Sequence, residues 1–317
     1  MKINKNAVKR VILFIHKLAI RIGIHVLPVH YYSPVPNILE LAKTKEIWAK
    51  KSQLPGITIN LDDQVANLER ICLPYQREYA GNRVYLEGVA NHFGPGFGYI
   101  EAQALHAVIR HYKPRRIVEV GSGVSTHCML AAAKMNEKET GESASITCIE
   151  PYPSKKLKEL ATLKQVELVS RQVQTVPLEV FTSLEYNDFL FIDSSHTVKP
   201  GGDVNFLILE VLPRLQTGVI VHFHDIYFPY DYQRSVLRTF FHWAETSLLR
   251  AFLIFNDRAK IIFCLSHLHY ERQDALKGVF PEYSPQGDEN GLQLEKYKPF
   301  DQIPEHFPSS IYIQMLG

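Results

Sequence analysis

The stretch VEVGSGVST, residues 118–126, decides the fold. An apolar run rich in β-branched residues ends at Val120, which is typical of a buried strand. Gly121 and Gly123 follow directly, and the pattern then predicts a helix from Ser125 to Lys134. Glycines allow a tight turn and let a ligand approach the backbone, while the helix N-terminus offers free N–H groups. The stretch therefore predicts a nucleoside-binding strand-turn-helix unit.

On both sides of this turn, short apolar runs alternate with segments of helical length. Strands that are apolar throughout and separated by helices indicate a parallel sheet covered on both faces. The predicted fold class is accordingly α/β, a doubly wound Rossmann-like sheet. The predicted strands are residues 116–120, 145–149, 166–169, 189–192, 218–223, 260–265 and 310–316, with helices near 100–112, 204–212 and 236–255.

Several residues near the turn are candidates for binding a nucleoside cofactor. Glu150 ends the second strand, where an acid meets the hydroxyls of a ribose. Glu119 precedes the turn and is predicted to hold the loop and the ammonium group of the ligand. Thr126 replaces the third glycine that a dinucleotide normally needs, which favours S-adenosylmethionine over a nicotinamide cofactor. The remaining candidates are the turn residues Gly121, Ser122, Gly123 and Ser125, Asp193 after the fourth strand, and Gln172 or Gln174 for the adenine.

From about residue 95 to 317 the sequence resembles the class I S-adenosylmethionine-dependent methyltransferases. The resemblance rests on the ExGxG turn at 119–123, on Glu150 and on a strand that ends in Asp193. It implies a seven-stranded sheet of order 3-2-1-4-5-7-6 with an antiparallel last strand at 310–316. More narrowly, the stretches FIDSSH, GGDV, LPRL and VHFHDI look like bacterial cephalosporin hydroxylase-like and macrocin-type O-methyltransferases.

Acidic and histidine side chains follow the fourth and fifth predicted strands. Asp193 and His196 come after the fourth, and His224 and Asp225 after the fifth, so we expect them to converge above the sheet. His222 lies on the same side of its strand as His224. By similarity to catechol-type O-methyltransferases, Asp193, His224 and Asp225 fall where a divalent cation is held. A histidine ligand makes Mg²⁺ less natural, and Mn²⁺, Fe²⁺ or a metal-free site stay open.

The predicted catalytic residues are His196, His224 and Asp193. His196 falls where the related enzymes carry a lysine base, and imidazole titrates near neutral pH, so His196 is the predicted proton acceptor. Structural roles stay open for the same side chains, because a histidine near a strand end is often a packed core residue. Asp203 is a candidate N-cap for the helix at 204–212. The aromatic segment 227–232 either packs under the C-terminal helix or lines an acceptor pocket.

The N-terminal 94 residues lie outside the resemblance and are predicted to form a basic helical extension, with the methyltransferase domain at 95–317. Residues 1–60 carry ten Lys/Arg and two acids, a net charge of +8, whereas the remaining chain carries −6. Apolar residues at helical spacing over 7–24, with lysine and arginine between them, predict a basic amphipathic helix. We expect this helix to dock on the main domain or on a second subunit, and the second case would make a homo-oligomer. The alternative is that the helix contacts an anionic membrane surface.

Composition narrows the remaining function classes. The chain has 317 residues, 46% of them hydrophobic, and a net charge of +2, which disfavours a nucleic-acid-binding protein. Four scattered cysteines fit a reduced, cytoplasmic protein, and we expect no signal peptide and no transmembrane helix. The leading expectation is O-methylation of a hydroxyl on a small molecule or sugar. The alternatives are a nicotinamide-dependent oxidoreductase and a non-catalytic, methyltransferase-like binding module.

Overall fold

A computed structural model describes residues 5–297 and 305–317. The chain divides into two compact units. The smaller contains residues up to Trp48 together with Val236–His242, and the larger contains Ala49–Ser235 and Trp243–Gly317. Residues 49–94, which the sequence assigns to the N-terminal extension, lie in the larger unit.

The smaller unit is helical. Its helices are α1 (Lys5–Ile20), α2 (Ile38–Lys43) and α3 (Lys45–Trp48), and Val236–Arg238 forms one 3₁₀ turn. Helix α1 ends because Gly23 takes a left-handed φ of 78°, which lets the amides of residues 23 and 24 bond to carbonyls of the last turn. Helix α2 begins at Asn37, whose side chain accepts hydrogen bonds from the backbone N–H groups of Leu39 and Glu40.

The larger unit is built on a seven-stranded sheet of order β3-β2-β1-β4-β5-β9-β6. All neighbouring strands from β3 to β5 are parallel, and β9 is antiparallel to both β5 and β6. The predicted sheet order and antiparallel last strand are confirmed. The strands are β1 (Arg116–Val120), β2 (Ser145–Ile149), β3 (Glu167–Val169), β4 (Phe189–Ile192), β5 (Ile220–Phe223), β6 (Ala259–Cys264) and β9 (Ile311–Met315), while β7 (Asp288–Glu289) and β8 (Leu292–Gln293) form a separate hairpin.

Helices cover both faces of the sheet. Alternation along the strands divides the core, so that Ile117 points to one face and Val118 to the other. The first face packs against helices that include α4, α7 and α8, and the second against residues 203–215 and α12. The helices are α4 (Leu61–Cys72), α5 (Gln76–Tyr79), α6 (Arg83–Ala90), α7 (Tyr99–Tyr112), α8 (Val124–Thr140), α9 (Lys155–Thr162), α10 (Glu179–Thr182), α11 (Asp203–Asn205), α12 (Glu245–Leu253), α13 (Leu265–Glu271) and α14 (Gln273–Val279).

Two predicted helices differ from the structure. Residues 239–244 are not helical, so the helix predicted at 236–255 is wrong over its first half. There the amide of Trp243 bonds to the side chain of Gln233, and the amides of residues 244 and 245 bond to the carbonyl of His196. Those partners lie outside the local sequence, which is why periodicity did not reveal them. The predicted helix at 204–212 is mostly a π-helix, at Phe206–Val211.

Candidate active site

The turn after β1 is held by a buried carboxylate. Glu119 is fully buried, and its oxygens accept hydrogen bonds from Ser125 Oγ and Thr126 Oγ1, each at 2.7 Å, and from Cys148 Sγ at 3.2 Å. Burial raises the pKa of Glu119 from its ordinary value of 4.5 to about 7, against the opposing effect of these donors. The hydrogen bond from Ser125 to Glu119 therefore holds the start of α8 against the end of β1.

The two glycines of the turn have different structural roles. Gly121 has a φ of +95°, and a Cβ atom there would lie 2.3 Å from the carbonyl oxygen of Asp193. Only glycine allows the β1 turn to lie this close to the end of β4. Gly123 has an extended φ of 169°, and its Cβ would be 3.8 Å from the carbonyl oxygen of Phe93, an ordinary contact.

A cavity of about 520 Å³ lies beyond the C-terminal ends of β1, β2 and β4. Gly121, Glu150, Gln172 and Asp193, all predicted cofactor residues, line it. Its volume lies in the usual range for a small-molecule or cofactor pocket. Ser122 does not line the cavity, but its Oγ donates to Glu150 Oε2 at 3.3 Å. The cavity thus brings together Gly121, Glu150, Gln172 and Asp193, whereas Glu119, Gly123 and Ser125 are not among its lining residues.

The loop after β4 closes one side of the cavity. Asp203 accepts hydrogen bonds from Ser195 N at 2.9 Å and from Ser195 Oγ at 2.6 Å, and from the amide of Val204. The Asp203 carboxylate therefore holds the Ser195 loop and also accepts a hydrogen bond at the start of its own helix. Gln174 donates to the carbonyl of Gly201 at 2.9 Å, so this amide serves the same loop.

Asp193, His196, His224 and Asp225 meet directly above the sheet, as their positions in the sequence predicted. His196 Nε2 lies 3.2 Å from Asp193 Oδ1 and 3.6 Å from Asp225 Oδ2. His224 Nδ1 lies 3.7 Å from the same atom of Asp193 and 3.5 Å from that of Asp225. Asp193 also lines the cavity, so one carboxylate belongs to both the pocket and the cluster.

The backbone at the cluster is unusual. His196 and Asp225 both have left-handed φ values, 57° and 56° respectively. Non-glycine residues in this region carry strain and often occur at functional sites, although histidine and aspartate tolerate it better than most. The ring of Trp243 packs on His196 with centroids 4.6 Å apart, and Phe97 packs on His224 at 4.9 Å. These aromatic contacts fix the two imidazoles in place.

Four residues of the cluster were not predicted from sequence. Glu245 accepts from His196 Nδ1 at 2.7 Å, and Glu101 lies 4.0 Å from His224 Nε2. Ser309 donates its Oγ to Asp225 and its amide to Glu101, and Tyr227 donates its hydroxyl to Asp225. Glu101 could have been recognised as unusual, because it is an acid within a helix that is buried over most of its length. Glu245 is indistinguishable in sequence from a surface acid.

The cluster concentrates negative charge. Asp193, Asp225, Glu101 and Glu245 are opposed by only two imidazoles among the described side chains in contact with them. Burial acts to lower the pKa of His196, but Asp193 and Glu245 raise it to about 10. Asp225 and Asp193 likewise raise the pKa of His224 against the effect of burial, whereas burial raises the pKa of Glu101 and Glu245. A bound cation would relieve this imbalance.

The donor set fits a divalent cation. Ligand atoms of Asp193, His196 and Asp225 all lie within 4.8 Å of one another. His224, which the sequence predicts as a ligand, has its Nδ1 3.7 Å from Asp193 and 3.5 Å from Asp225. The Nδ1 of His196 is held by Glu245, which is the outer carboxylate contact common in metal-binding histidines. Both ring nitrogens of His224 are buried without a hydrogen-bond partner among the described residues, which is typical of groups that face a ligand.

His222 does not belong to this chemistry. It is fully buried, its Nε2 bonds to Ser310 Oγ at 2.8 Å, and its ring stacks on Phe191 at 4.4 Å. Burial lowers its pKa well below the ordinary value, so the ring is a neutral core side chain.

A doubly wound α/β sheet with its cavity and charged cluster beyond the strand ends places the chain in the class of Rossmann-like α/β proteins. Residues 118–226 match the family model described as a methyltransferase domain. The chain is 35% identical over 173 residues to an uncharacterized protein of Archaeoglobus fulgidus, covering 50% of this chain and 74% of the other. The chain therefore belongs to the same family as this archaeal protein and carries a methyltransferase domain.

Solved structures offer distant likenesses. One is a Staphylococcus aureus protein assigned as a caffeoyl-CoA O-methyltransferase, with 15% identity, a TM-score of 0.39 and coverage of 64% of this chain and 93% of the other. Another is the plantazolicin methyltransferase BpumL in complex with SAH, with 11% identity, a TM-score of 0.34 and coverage of 88% and 99%. Likenesses this low carry no argument about activity.

Proposed function

We propose that the protein is an S-adenosylmethionine-dependent methyltransferase that methylates a hydroxyl of a small molecule or sugar. One observation carries the proposal: Asp193 lines the nucleoside-sized cavity and also contacts the His196–His224 cluster. A cofactor in the cavity would thus lie beside groups able to bind and deprotonate an acceptor. The methyltransferase-domain match over 118–226 supports this assignment, as does the sequence resemblance to bacterial O-methyltransferases.

The reaction requires positioning more than covalent chemistry. The acceptor oxygen forms a bond to the methyl carbon, the sulfur–methyl bond breaks, and the acceptor proton leaves, giving S-adenosylhomocysteine and a methyl ether. Most of the catalysis then comes from holding the acceptor oxygen in line with the methyl group. We assign Glu150 to the ribose hydroxyls and Gln172 to the adenine, because both side chains line the cavity.

We assign Asp193, His196 and Asp225 to a divalent cation such as Mg²⁺ or Mn²⁺. When bound, the cation would supply positive charge that favours an ionised acceptor hydroxyl. Glu245 holds His196 with its Nε2 directed at the two aspartates. We assign proton acceptance to His224, because neither of its ring nitrogens has a hydrogen-bond partner among the described residues, whereas those of His196 are engaged. The cation would offset the charge of Asp193 and Asp225, which raise the pKa of His224, and would so favour the neutral ring that the role requires. This differs from the sequence-based expectation that His196 is the base.

Calorimetric titration with S-adenosylhomocysteine and with NADH tests the cofactor assignment. We expect the first to bind and the second not to bind. Binding of NADH alone would instead support a nicotinamide-dependent oxidoreductase.

Transfer of labelled methyl to a panel of catechols, phenols and sugars, with Mn²⁺ or with EDTA, tests the reaction. Turnover that is lost in EDTA and in His224→Ala, with unchanged S-adenosylhomocysteine affinity in that variant, supports the cation site and the role of His224 as the proton acceptor. Cofactor binding without turnover over the whole panel would favour a non-catalytic binding module.

A further inference from the structure

Helix α1 exposes a continuous apolar face. Residues 8, 11, 15, 18 and 22 lie on one side of the helix and its C-terminal turn, because they recur at three- and four-residue spacing. The exposed fraction is 57% for Val11, 46% for Ile15 and 45% for Leu18, and Phe14 beside them is 63% exposed. A helix with this pattern normally buries its apolar side, whereas the described residues leave about half of the surface of these side chains exposed.

Basic side chains lie on the opposite side of the same segment, together with exposed Leu13 and Ile20. Lys9, Arg10, Lys17 and Arg21 project away from the apolar face. The first acidic residue of the chain is Glu40, and six lysines and arginines precede it. Positive charge beside an exposed apolar face is the combination that an anionic lipid surface complements.

The chain beyond α1 adds further exposed apolar and aromatic side chains. After the turn at Gly23 the segment folds back, and His16 Nδ1 contacts the carbonyl of Val26 at 3.0 Å. Ile22, Ile24 and Val29 are exposed, and Tyr31 and Tyr32 expose 94% and 83% of their surfaces. Tyrosines are favoured at membrane–water interfaces, where the ring meets the acyl boundary and the hydroxyl stays hydrated.

We propose that residues 5–32 are a peripheral membrane-binding segment that recognises anionic phospholipid headgroups. The apolar face of α1 enters the headgroup–acyl boundary, and the basic side chains pair with lipid phosphates. No helix among the described residues is long and apolar enough to cross a bilayer, so the segment lies on the surface. A second copy of the chain is the other candidate occupant of this face, but the five positive charges of residues 5–32, with no acid among them, favour an anionic surface over an identical partner.

The test uses the full-length protein with vesicles of phosphatidylcholine alone and of equal parts phosphatidylcholine and phosphatidylglycerol. We expect binding only to the second, weakened by high salt because the attraction is partly electrostatic. Reversing the four charges in Lys9→Glu/Arg10→Glu/Lys17→Glu/Arg21→Glu should weaken it by at least about 100-fold. A second variant, Phe14→Ser/Leu18→Ser, keeps the charges and should also lose binding, since it removes apolar contact area.

The matched control reverses four exposed lysines elsewhere, in Lys134→Glu/Lys138→Glu/Lys158→Glu/Lys164→Glu. This variant should bind anionic vesicles within about threefold of the wild type. An equal loss in the control, or equal binding to neutral vesicles, overturns the proposal. It is also overturned if the wild type binds no vesicles and sedimentation velocity shows a dimer that Phe14→Ser/Leu18→Ser dissociates, because α1 then pairs with a second copy. None of these readouts depends on methyl transfer.

Discussion

Glu119 illustrates how a single buried carboxylate links the turn to protein stability. Its pKa is raised to about 7 by burial, so the folded protein holds this proton more tightly than the unfolded chain does. The stabilising contribution is complete below about pH 4.5 and is lost as the pH rises through about 7. The loss amounts to about 3 kcal/mol at higher pH.

Replacing this carboxylate therefore changes the pH dependence of folding. Glu119→Gln removes the titration, so the stability difference between wild type and variant should shift in favour of the variant by about 2–3 kcal/mol between about pH 5 and pH 8. Urea unfolding at the two pH values measures this shift. The exposed Glu159→Gln should leave the difference unchanged. An identical difference for Glu119→Gln at both pH values would show that Glu119 is ionised throughout.

Glu245 acts on the proposed cation through His196 and contacts no other group of the cation site directly. Glu245→Gln keeps the size of the side chain but weakens the orienting contact to His196 Nδ1. We expect Mn²⁺ affinity to fall by about 10–100-fold. Titration followed by the electron paramagnetic resonance of free Mn²⁺ gives the affinity. The exposed Glu210→Gln should bind Mn²⁺ like the wild type, and unchanged affinity in Glu245→Gln would remove Glu245 from the site.

The members of the cluster differ in how visible they are in the sequence. Asp193, His196, His224 and Asp225 follow two strands that are adjacent in the sheet, so a correct sheet order brings them together. Glu101 and Glu245 reach the cluster from helices whose docking depends on tertiary packing. The sequence therefore predicted that the four side chains converge, whereas the contribution of Glu101 and Glu245 could be found only from the structure. Which of the two imidazoles joins the aspartates in the proposed cation set depends on side-chain directions beyond the strand ends, which alternation does not determine.

At the scale of elements, the strands were predictable because each is a short run of apolar residues buried on both faces. The same argument fails for residues 236–255, since their helical pattern is interrupted by hydrogen bonds to distant partners. The turn after β1 is a third case. The sequence pattern predicted the strand-turn-helix unit, but the two glycines of the turn are present for different structural reasons. Gly121 is required by close packing of β1 against β4, whereas Gly123 has no such steric requirement in the described structure.

Alanine substitutions separate these two glycines. Gly121→Ala would place a Cβ against the carbonyl oxygen of Asp193 at a left-handed φ, which should cost more than about 2 kcal/mol and displace Asp193. Gly123→Ala should cost less than about 1 kcal/mol. Denaturant unfolding measures both costs, and calorimetry with S-adenosylhomocysteine reports the displacement of Asp193. Equal costs for the two variants would contradict the packing argument.

At the scale of the molecule, the net charge of +2 is the sum of two unlike parts. The positive excess lies in the N-terminal 60 residues, and most of it falls in the smaller compact unit, whereas the residues that line the cavity belong to the larger unit. Residues 49–94 complicate a division at residue 94, because they contribute side chains to the core beneath the sheet. Leu68, Ile71, Tyr79 and Val84 are all buried there with residues of α7 and α8.

This packing predicts where the chain can be shortened. A protein that begins at Ala49 keeps every residue of the larger unit and should unfold cooperatively, close to the full-length melting temperature. A protein that begins at residue 95 loses the four buried side chains, each contributing about 1.5–3 kcal/mol. That loss is comparable to the whole stability of an ordinary domain, so the shorter protein should not fold cooperatively. Calorimetry on both truncations decides the matter, since a cooperative melt from residue 95 would restore the boundary that the sequence resemblance suggested.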